Sequence, residues 1–542
     1  MGSRRCVRSP DSESLARVPE RLTESHPAVH ESLLASAALA KSPQENQVKK
    51  SRSRHVTYCV VSATAVDNYS LDRSTINKLS DDVLLCIFDS YRRVSKRTGA
   101  WPWHKLAHIC GRWRNIVFEH AGHLKLQLVY KSKTDMKTAL DIWPALPIVI
   151  DAQDDTDGDV IDALEDRDRI VGINLWRLTQ SKLKKCLGMM QQPFPVLTSL
   201  TLSTEHGKVA YAHVNADAFL GGLGGSIPRP KRLSLDGIQF SALSTLLSSA
   251  SQLVDLHLTG FPVTGGGHIS PEAMARCLSS LTRLRSLSFY FKRRADFTYP
   301  QHPPPSSLSP TVLPALTDLS LGGPHEYLED LLTRIDAPLL DHGELNFYNV
   351  PNFNHPQISQ FIHRTGMFNV PSKLEVYIRK GVSVKLSSSI GPEKRFELGF
   401  TGSDLSLYTE VKLTERICSQ YPPFLSHIEH LRLSGDEVEY RHYPLNAPWL
   451  ELLQPFTAVK TLHLSGTFIM PRVSLTLGVL EEEEATEVLP ALRTLVLEWA
   501  GKEVSEAAGL VKPFIVARKH SERPVVLERD SWDGDSDSSD TE

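Results

Sequence analysis

Short runs in which an apolar residue alternates with a polar one recur along most of the chain. They read "LKLQL" near Leu126, "PIVID" near Ile148, "INLWRL" near Leu175, "LTSLTLS" near Leu200 and "PKRLSLDG" near Leu233. The series continues with "LVDLHLTG", "LRSLSFYF", "LTDLSLGG" and "HGELNFYN" near Leu256, Leu287, Leu319 and Leu345. A less regular stretch, Leu374 to Phe400, precedes "IEHLRLSG", "VKTLHLSG" and "LRTLVLEW" near Leu431, Leu462 and Leu495. Alternation with period two predicts strands with one buried face. Segments between them, such as "FSALSTLLSSA", "SPEAMARCLSSL" and "EYLEDLLTRI", have helical spacing. The strands recur about every 22 to 33 residues, within the range of leucine-rich repeats. One strand–helix unit cannot bury its own apolar face. Stacked units can, which predicts an α/β fold: an irregular leucine-rich-repeat solenoid of parallel strands with helices over residues 123–515. A terminal strand segment and an acidic tail fill residues 516–542. An ordinary α/β domain is the competing fold, but it leaves the recurring "L-x-x-L-x-L-x-G" unexplained. In the solenoid, Ser199, Thr201, Ser234, His257, Ser320, Arg432, His463 and Glu498 line the concave strand face.

Ahead of the repeats the period changes. In "INKLSDDVLLCIFDSYRRV", Ser80 is placed to cap a helix, and Asp81 and Asp82 fall in its first turn, where the helix dipole favours negative charge. Val83, Leu84, Ile87, Phe88 and Tyr91 then form one apolar face. After "SKRTGAWP", a second helix is expected from Pro102 towards Gly122. On that helix Leu106, Ile109, Cys110, Trp113, Ile116 and Val117 share one side, while His104, His108, Arg112 and Asn115 share the other.

The histidine pair has metal-ligand spacing, but "HKLAH" carries Lys105 where the zinc-protease motif needs a glutamate. Cys110 points to the opposite side, so no metal is expected. "DDTDGDVIDALED" places Asp155 and Asp157 at calcium-loop positions around Gly158, yet Gln153 and Leu164 occupy the first and last ligand places. "GGLGGS" and "TGGGH" lack the Lys-Ser/Thr of a phosphate loop, and GxSxG is absent. No catalytic constellation and no cofactor site emerges.

Composition narrows the picture further. The 542 residues carry a formal charge of −3, which gives no global argument for nucleic acid or anionic membrane as partner. Seven scattered cysteines form no CxxC, as in a reducing compartment, so an intracellular protein, cytoplasmic and/or nuclear, is expected. No apolar run reaches the ~18 residues of a membrane span. Residues 1–75 read as a disordered leader containing the basic run "KKSRSR".

The words "LSDDVLLCIF" and "KLAHICGRWRNIV" resemble the F-box, here over residues 76–122. Together with "LDIWPALPIVID", "INLWRLT" and "YLEDLLTRIDAPLLD", the pattern is similar to a large group of F-box proteins of mushroom-forming fungi, over roughly Ile76 to Leu510. The resemblance implies a substrate receptor of an SCF-type cullin-RING ubiquitin ligase, not an enzyme itself. Its F-box would bind the cullin-complex adaptor protein, and its repeats would hold a target protein. Carried over by position, the adaptor-binding or helix-packing residues are Leu79, Val83, Leu84, Ile87, Phe88, Leu106, Ile109 and Trp113. Ser80 stands where the family usually has proline, and the linker between the helices is longer than in a compact F-box. The alternative is a leucine-rich-repeat scaffold whose F-box-like segment only caps the solenoid.

Overall fold

The computed structural model describes residues 78–95, 103–131, 146–153, 160, 163–190, 194–205, 230–238, 243–261, 269–292, 309–348, 356–365, 371–379, 381–388, 394–401, 407–420, 425–435, 448–498 and 502–530. The leader 1–75, the acidic loop 154–159, both glycine-rich segments, the proline-rich insertion through Leu308 and the tail 531–542 lie outside these residues. Internal contacts divide the chain into Met1–Leu79 and Ser80–Glu542. Every element below belongs to the second unit.

Helix α1 spans Asp81–Ser95, with Asp81 and Asp82 in its first turn and Arg92 and Arg93 in its last. Ser80 caps it as its pattern predicts, its Oγ accepting from the Val83 N–H at 3.4 Å. The expected second helix is instead broken into α2 (Trp103–Ala107) and α3 (Gly111–Glu119), followed by a turn of helix, α4 (Ala121–Leu124). Cys110 sits at the break with extended backbone (φ −157°, ψ 169°). It is therefore exposed, not part of the apolar side on which the spacing placed it. Glycine at 111 weakens the helix at this point. The bend lets Trp103, Leu106 and Ala107 be buried together with Ile116 and Val117. Arg114 Nε crosses the break to the Ala107 carbonyl at 3.0 Å, satisfying a helix end.

Eighteen strands follow among the described residues: β1 Leu128–Tyr130, β2 Ile148–Gln153, β3 Ile170–Leu178, β4 Ser199–Thr204, β5 Arg232–Asp236, β6 Asp255–Phe261, β7 Ser286–Phe291, β8 Thr311–Val312 and β9 Asp318–Pro324. The rest are β10 Ile335–Asp336, β11 His342–Tyr348, β12 Lys373–Ile378, β13 Gly381–Ser387, β14 Arg395–Thr401, β15 His430–Ser434, β16 Thr461–Ser465, β17 Thr494–Glu498 and β18 Val526–Asp530. Sixteen form one sheet in the order β1-β2-β3-β4-β5-β6-β7-β9-β11-β14-β13-β12-β15-β16-β17-β18, while β8 and β10 pair with each other.

The leucines set the register. Leu202, Leu235, Leu258, Phe289, Leu321, Leu345 and Leu398 lie side by side on successive strands. Beyond the antiparallel β13, Leu433, Leu464 and Leu497 continue the row. All are buried in one continuous core with the helices. Each such side chain contributes ~1.5–3 kcal/mol relative to exposure. Sequential parallel neighbours, with helices in most of the described connections, make this a solenoid, the predicted fold.

The irregular stretch is a reversal. From β11 the chain crosses through the helix Pro356–Thr365 to β12, three places away. It returns antiparallel as β13 and comes back beside β11 as β14. The helix Leu407–Gln420 then carries it across to β15, beside β12. Gly381, at φ +150°, makes the β12–β13 turn possible: a Cβ there would lie 2.4 Å from the Phe400 carbonyl oxygen. The fully buried Glu410 accepts the Gly381 N–H at 2.6 Å and pins that turn.

Arginines clamp repeats to one another. Arg364 donates to the Leu332 and Ile335 carbonyls (2.8 and 3.3 Å). The buried Arg518 donates to those of Ala485, Pro490 and Leu492 (3.3, 3.3 and 3.0 Å).

Candidate functional site

Helix α1 has two apolar faces. Leu84 and Phe88 are fully buried, with the Phe88 ring 4.9 Å from that of the half-buried Trp113. Val83, Ile87, Tyr91 and Val94, spaced by four, four and three, are 44%, 45%, 38% and 66% exposed. Cys86 is also exposed on this side. Asp82, Val83, Cys86, Ile87 and Ser90 line a shallow cleft of about 390 Å³. The Arg112 guanidinium pairs with Asp81 at 2.5 Å and ties α3 to the start of α1.

The eight residues singled out by sequence thus separate. Leu84, Phe88 and Leu106 are core, Leu79 and Trp113 are half-buried, and Val83, Ile87 and Ile109 face solvent. Ile109 is exposed because it lies in the α2–α3 break, which the helical wheel did not contain. His104 and His108 are both exposed. Among the described residues no group of three or more His, Cys, Asp or Glu could hold a metal. Burial pushes the thiols of Cys186 and Cys418 up to about 11 and about 12, so neither is a nucleophile near neutral pH.

The second surface is the face of the sheet opposite the leucine core, which is helix-free among the described residues. Ser199, Thr201, Ser234, His257, Ser320, Arg432, His463 and Glu498 all alternate with buried leucines and reach this face. Three clusters of its polar groups are tied together within the sheet. Ser203 and Thr259 hydroxyls donate to Asp236 at 2.8 and 2.6 Å. Glu498 meets Arg432 at 2.6 Å and His463 Nδ1 at 2.8 Å. At the centre, Glu344 accepts from Tyr290 (3.1 Å), Ser320 (2.8 Å) and Asn346 (2.5 Å). Tyr290 and Ser320 also bond to each other. Burial pushes the Tyr290 phenol up to about 12; the Ser320 bond opposes the shift, and the Glu344 charge adds to it.

Gly322 makes this centre possible, because a Cβ there would meet the Tyr290 ring at 2.3 Å and the Tyr348 hydroxyl at 2.7 Å. An open groove of about 410 Å³ lies here, lined by residues of β7, β9, β11, β13 and β14 including Ser286, Ser320, His342, Glu344, Lys385 and Glu397. Sequence reasoning missed Tyr290, Glu344, Asn346, Lys385 and Glu397. The alternation in "HGELNFYN" carried the signal for Glu344, whereas the reversed strands hid Lys385 and Glu397.

No family model matches the chain, and no curated protein matches it. Among solved structures, the leucine-rich repeat-containing protein LegL7 from Legionella pneumophila is similar in architecture. It is 13% identical, with 71% of this chain and 97% of that one covered and a TM-score of 0.26. So distant a likeness carries no argument about function. The repeat architecture of this chain rests on its own strand register.

Proposed function

We propose that the chain is a protein-interaction scaffold acting as the substrate receptor of an SCF-type cullin-RING ubiquitin ligase. In this reading α1 docks on the adaptor protein and the strand face holds a target protein. The observation that carries it is the uncovered stripe Val83, Ile87, Tyr91 and Val94 on a helix whose opposite side is already packed. Exposed apolar residues in a row mark a surface that gains free energy when a partner covers it. A few aliphatic and aromatic anchors supply most of such an interface's energy. The chain's own contribution is proximity and orientation; the chemistry belongs to other subunits. An intracellular site, cytoplasmic or nuclear, follows from that role.

The capping alternative draws on a different observation: Trp103 Nε1 donates to the Gln127 carbonyl at 2.9 Å, fastening α2 just ahead of β1. Capping needs only the buried side of these helices, and docking needs the exposed side. The test is therefore co-purification with the adaptor, comparing the wild type with Val83→Asp/Ile87→Asp. Both positions face solvent, so the variant keeps its fold. Capture by the wild type and loss in the variant supports the receptor. A folded wild type that captures no adaptor leaves the cap.

A further inference from the structure

Five polar side chains stand side by side on adjacent strands of the helix-free face: Asn174 on β3, Thr201 on β4, Ser234 on β5, His257 on β6 and Ser288 on β7. With strands ~4.8 Å apart, the row is ~19 Å long. Among the described residues, the side chains of Asn174, Thr201, Ser234 and Ser288 make no hydrogen bond or ion pair. The groups at its borders are spent: Ser203 and Thr259 on Asp236, and Ser320 on Glu344 and Tyr290.

The row is also uncharged. Desolvation holds the His257 imidazole below its ordinary 6.5, against the Asp236 charge, so it is neutral at pH 7. In the adjoining row Arg232 and Asp255 neutralise each other at 2.8 Å.

A second feature marks the head of the row. Strand β3 loses its register with β4 between Leu175 and Leu178, and Arg177 there has φ +55°, a left-handed conformation that a side chain adopts at a cost. Leu175 and Leu178 both stay in the core, while Trp176 is left 38% exposed, two residues along the strand from Asn174. A bulge of this kind re-aims a side chain.

A hydroxyl has one donor and two acceptor positions, and an amide or a neutral imidazole offers both kinds. A peptide main chain presents the matching set, one N–H and one C=O per residue, without charge. Side chains as short as serine and threonine let a main chain approach closely. A charged side chain would find no counter-charge in the row. Tryptophan at one end supplies the broad apolar anchor on which binding energy concentrates in protein interfaces.

We infer that an extended, uncharged stretch of the bound protein, ~6 residues long, lies across β3–β7. Its peptide groups are hydrogen-bonded by this row, and one of its apolar side chains rests on Trp176. The inference rests on the reading of the strand face as the target-holding surface, and it names the target's chemistry there.

The test pans the full chain against a display library of random nonapeptides and synthesises those enriched. They should be uncharged, carry one large apolar residue and bind with little change as salt rises. Methylating their backbone nitrogens removes donors and leaves the side chains alone; binding should weaken roughly tenfold. Thr201→Val/Ser234→Ala/Ser288→Ala should weaken it roughly tenfold or more, with the melting temperature unchanged, and Trp176→Ala roughly tenfold. Lys373→Ala, on the same face beyond the reversal, should bind as the wild type does.

Enrichment of charged peptides, enrichment of none, or binding that survives the triple variant overturns the inference. Adaptor capture measured on the same preparations separates the two readings. Capture without selection of uncharged peptides sinks the row alone; peptide selection that depends on the row, without capture, sinks the ligase reading and leaves the row standing.

Discussion

The exposed stripe of α1 and the helix-free face of the sheet are both open to solvent, yet they are built in opposite ways. On α1, Val83, Ile87, Tyr91 and Val94 offer apolar area. Its attraction is non-directional and grows with the area removed from water. On the strand face the clusters around Asp236, Glu344 and Glu498 already have partners within the sheet, so those side-chain positions are fixed before anything binds. Covering α1 gains free energy from almost any matching apolar surface. Covering the strand face gains only where donors and acceptors coincide, since a buried polar group left unpaired costs ~1–3 kcal/mol. The first surface suits a constant partner and the second a chosen one.

The largest expected effect separates the two sides of α1. Leu84→Asp places a charge in a fully buried site and should cost about 4 kcal/mol or more, visible as an early transition in urea unfolding. Val83→Asp, one position away and exposed, should stay within about 0.5 kcal/mol of wild type in the same experiment. Equal destabilisation by both would break the two-sided picture of this helix.

On the strand face, Gly322→Ala should cost about 1–3 kcal/mol by overpacking against the Tyr290 ring. It should also lower binding of whatever that face holds, whereas the adaptor capture proposed for α1 should be unaffected.

The two regions should also differ at opposite ends of the pH scale. Arg92 holds the Asp89 carboxyl in α1 below its ordinary 3.8. Its stabilising contribution is present above that value and is lost as pH falls through the depressed one. Asp89→Asn should flatten the acid limb of the stability curve. Tyr290 has a raised pKa, so its contribution is complete below 10.0 and is lost as pH climbs towards about 12. Tyr290→Phe should flatten the alkaline limb and remove one late-titrating phenol from the ultraviolet titration.

The smallest effect tests whether the paired part of the face matters for stability at all. Arg232→Ala breaks an exposed bridge to Asp255 and should change stability by about 0–1 kcal/mol. A larger loss would mean that the hydrogen-bonded face is part of the core's support.

The sequence made the solenoid legible because the leucine alternation is local, and a run of five residues suffices to display it. The cap of α1 was equally legible, since Ser80 and Val83 lie within one turn. The α2–α3 break was not, because six apolar residues at helical spacing outweighed one glycine on the wheel, whereas in the fold both halves had to reach the same core. The groove was hidden for another reason. Tyr290 meets Glu344 across 54 positions, and which strands become neighbours depends on the reversal at β12–β14. Alternation assigns a residue to a face, but it does not say which residues stand beside it there.

That reversal bears on how the chain assembles. A regular array folds by adding each unit to its predecessor, since contacts reach only to the nearest repeat. Between β15 and β16 the step is short, as the Lys460–Glu429 bond spans 31 positions. At β14 the chain must close on β11 over a much longer loop, with Thr401 bonding to Phe347 across 54 positions. Loop closure before reward slows such steps. The meander is therefore a seam at which propagation from either end should slow. The blocks on its two sides, β1–β11 and β15–β18, should nucleate separately and join last.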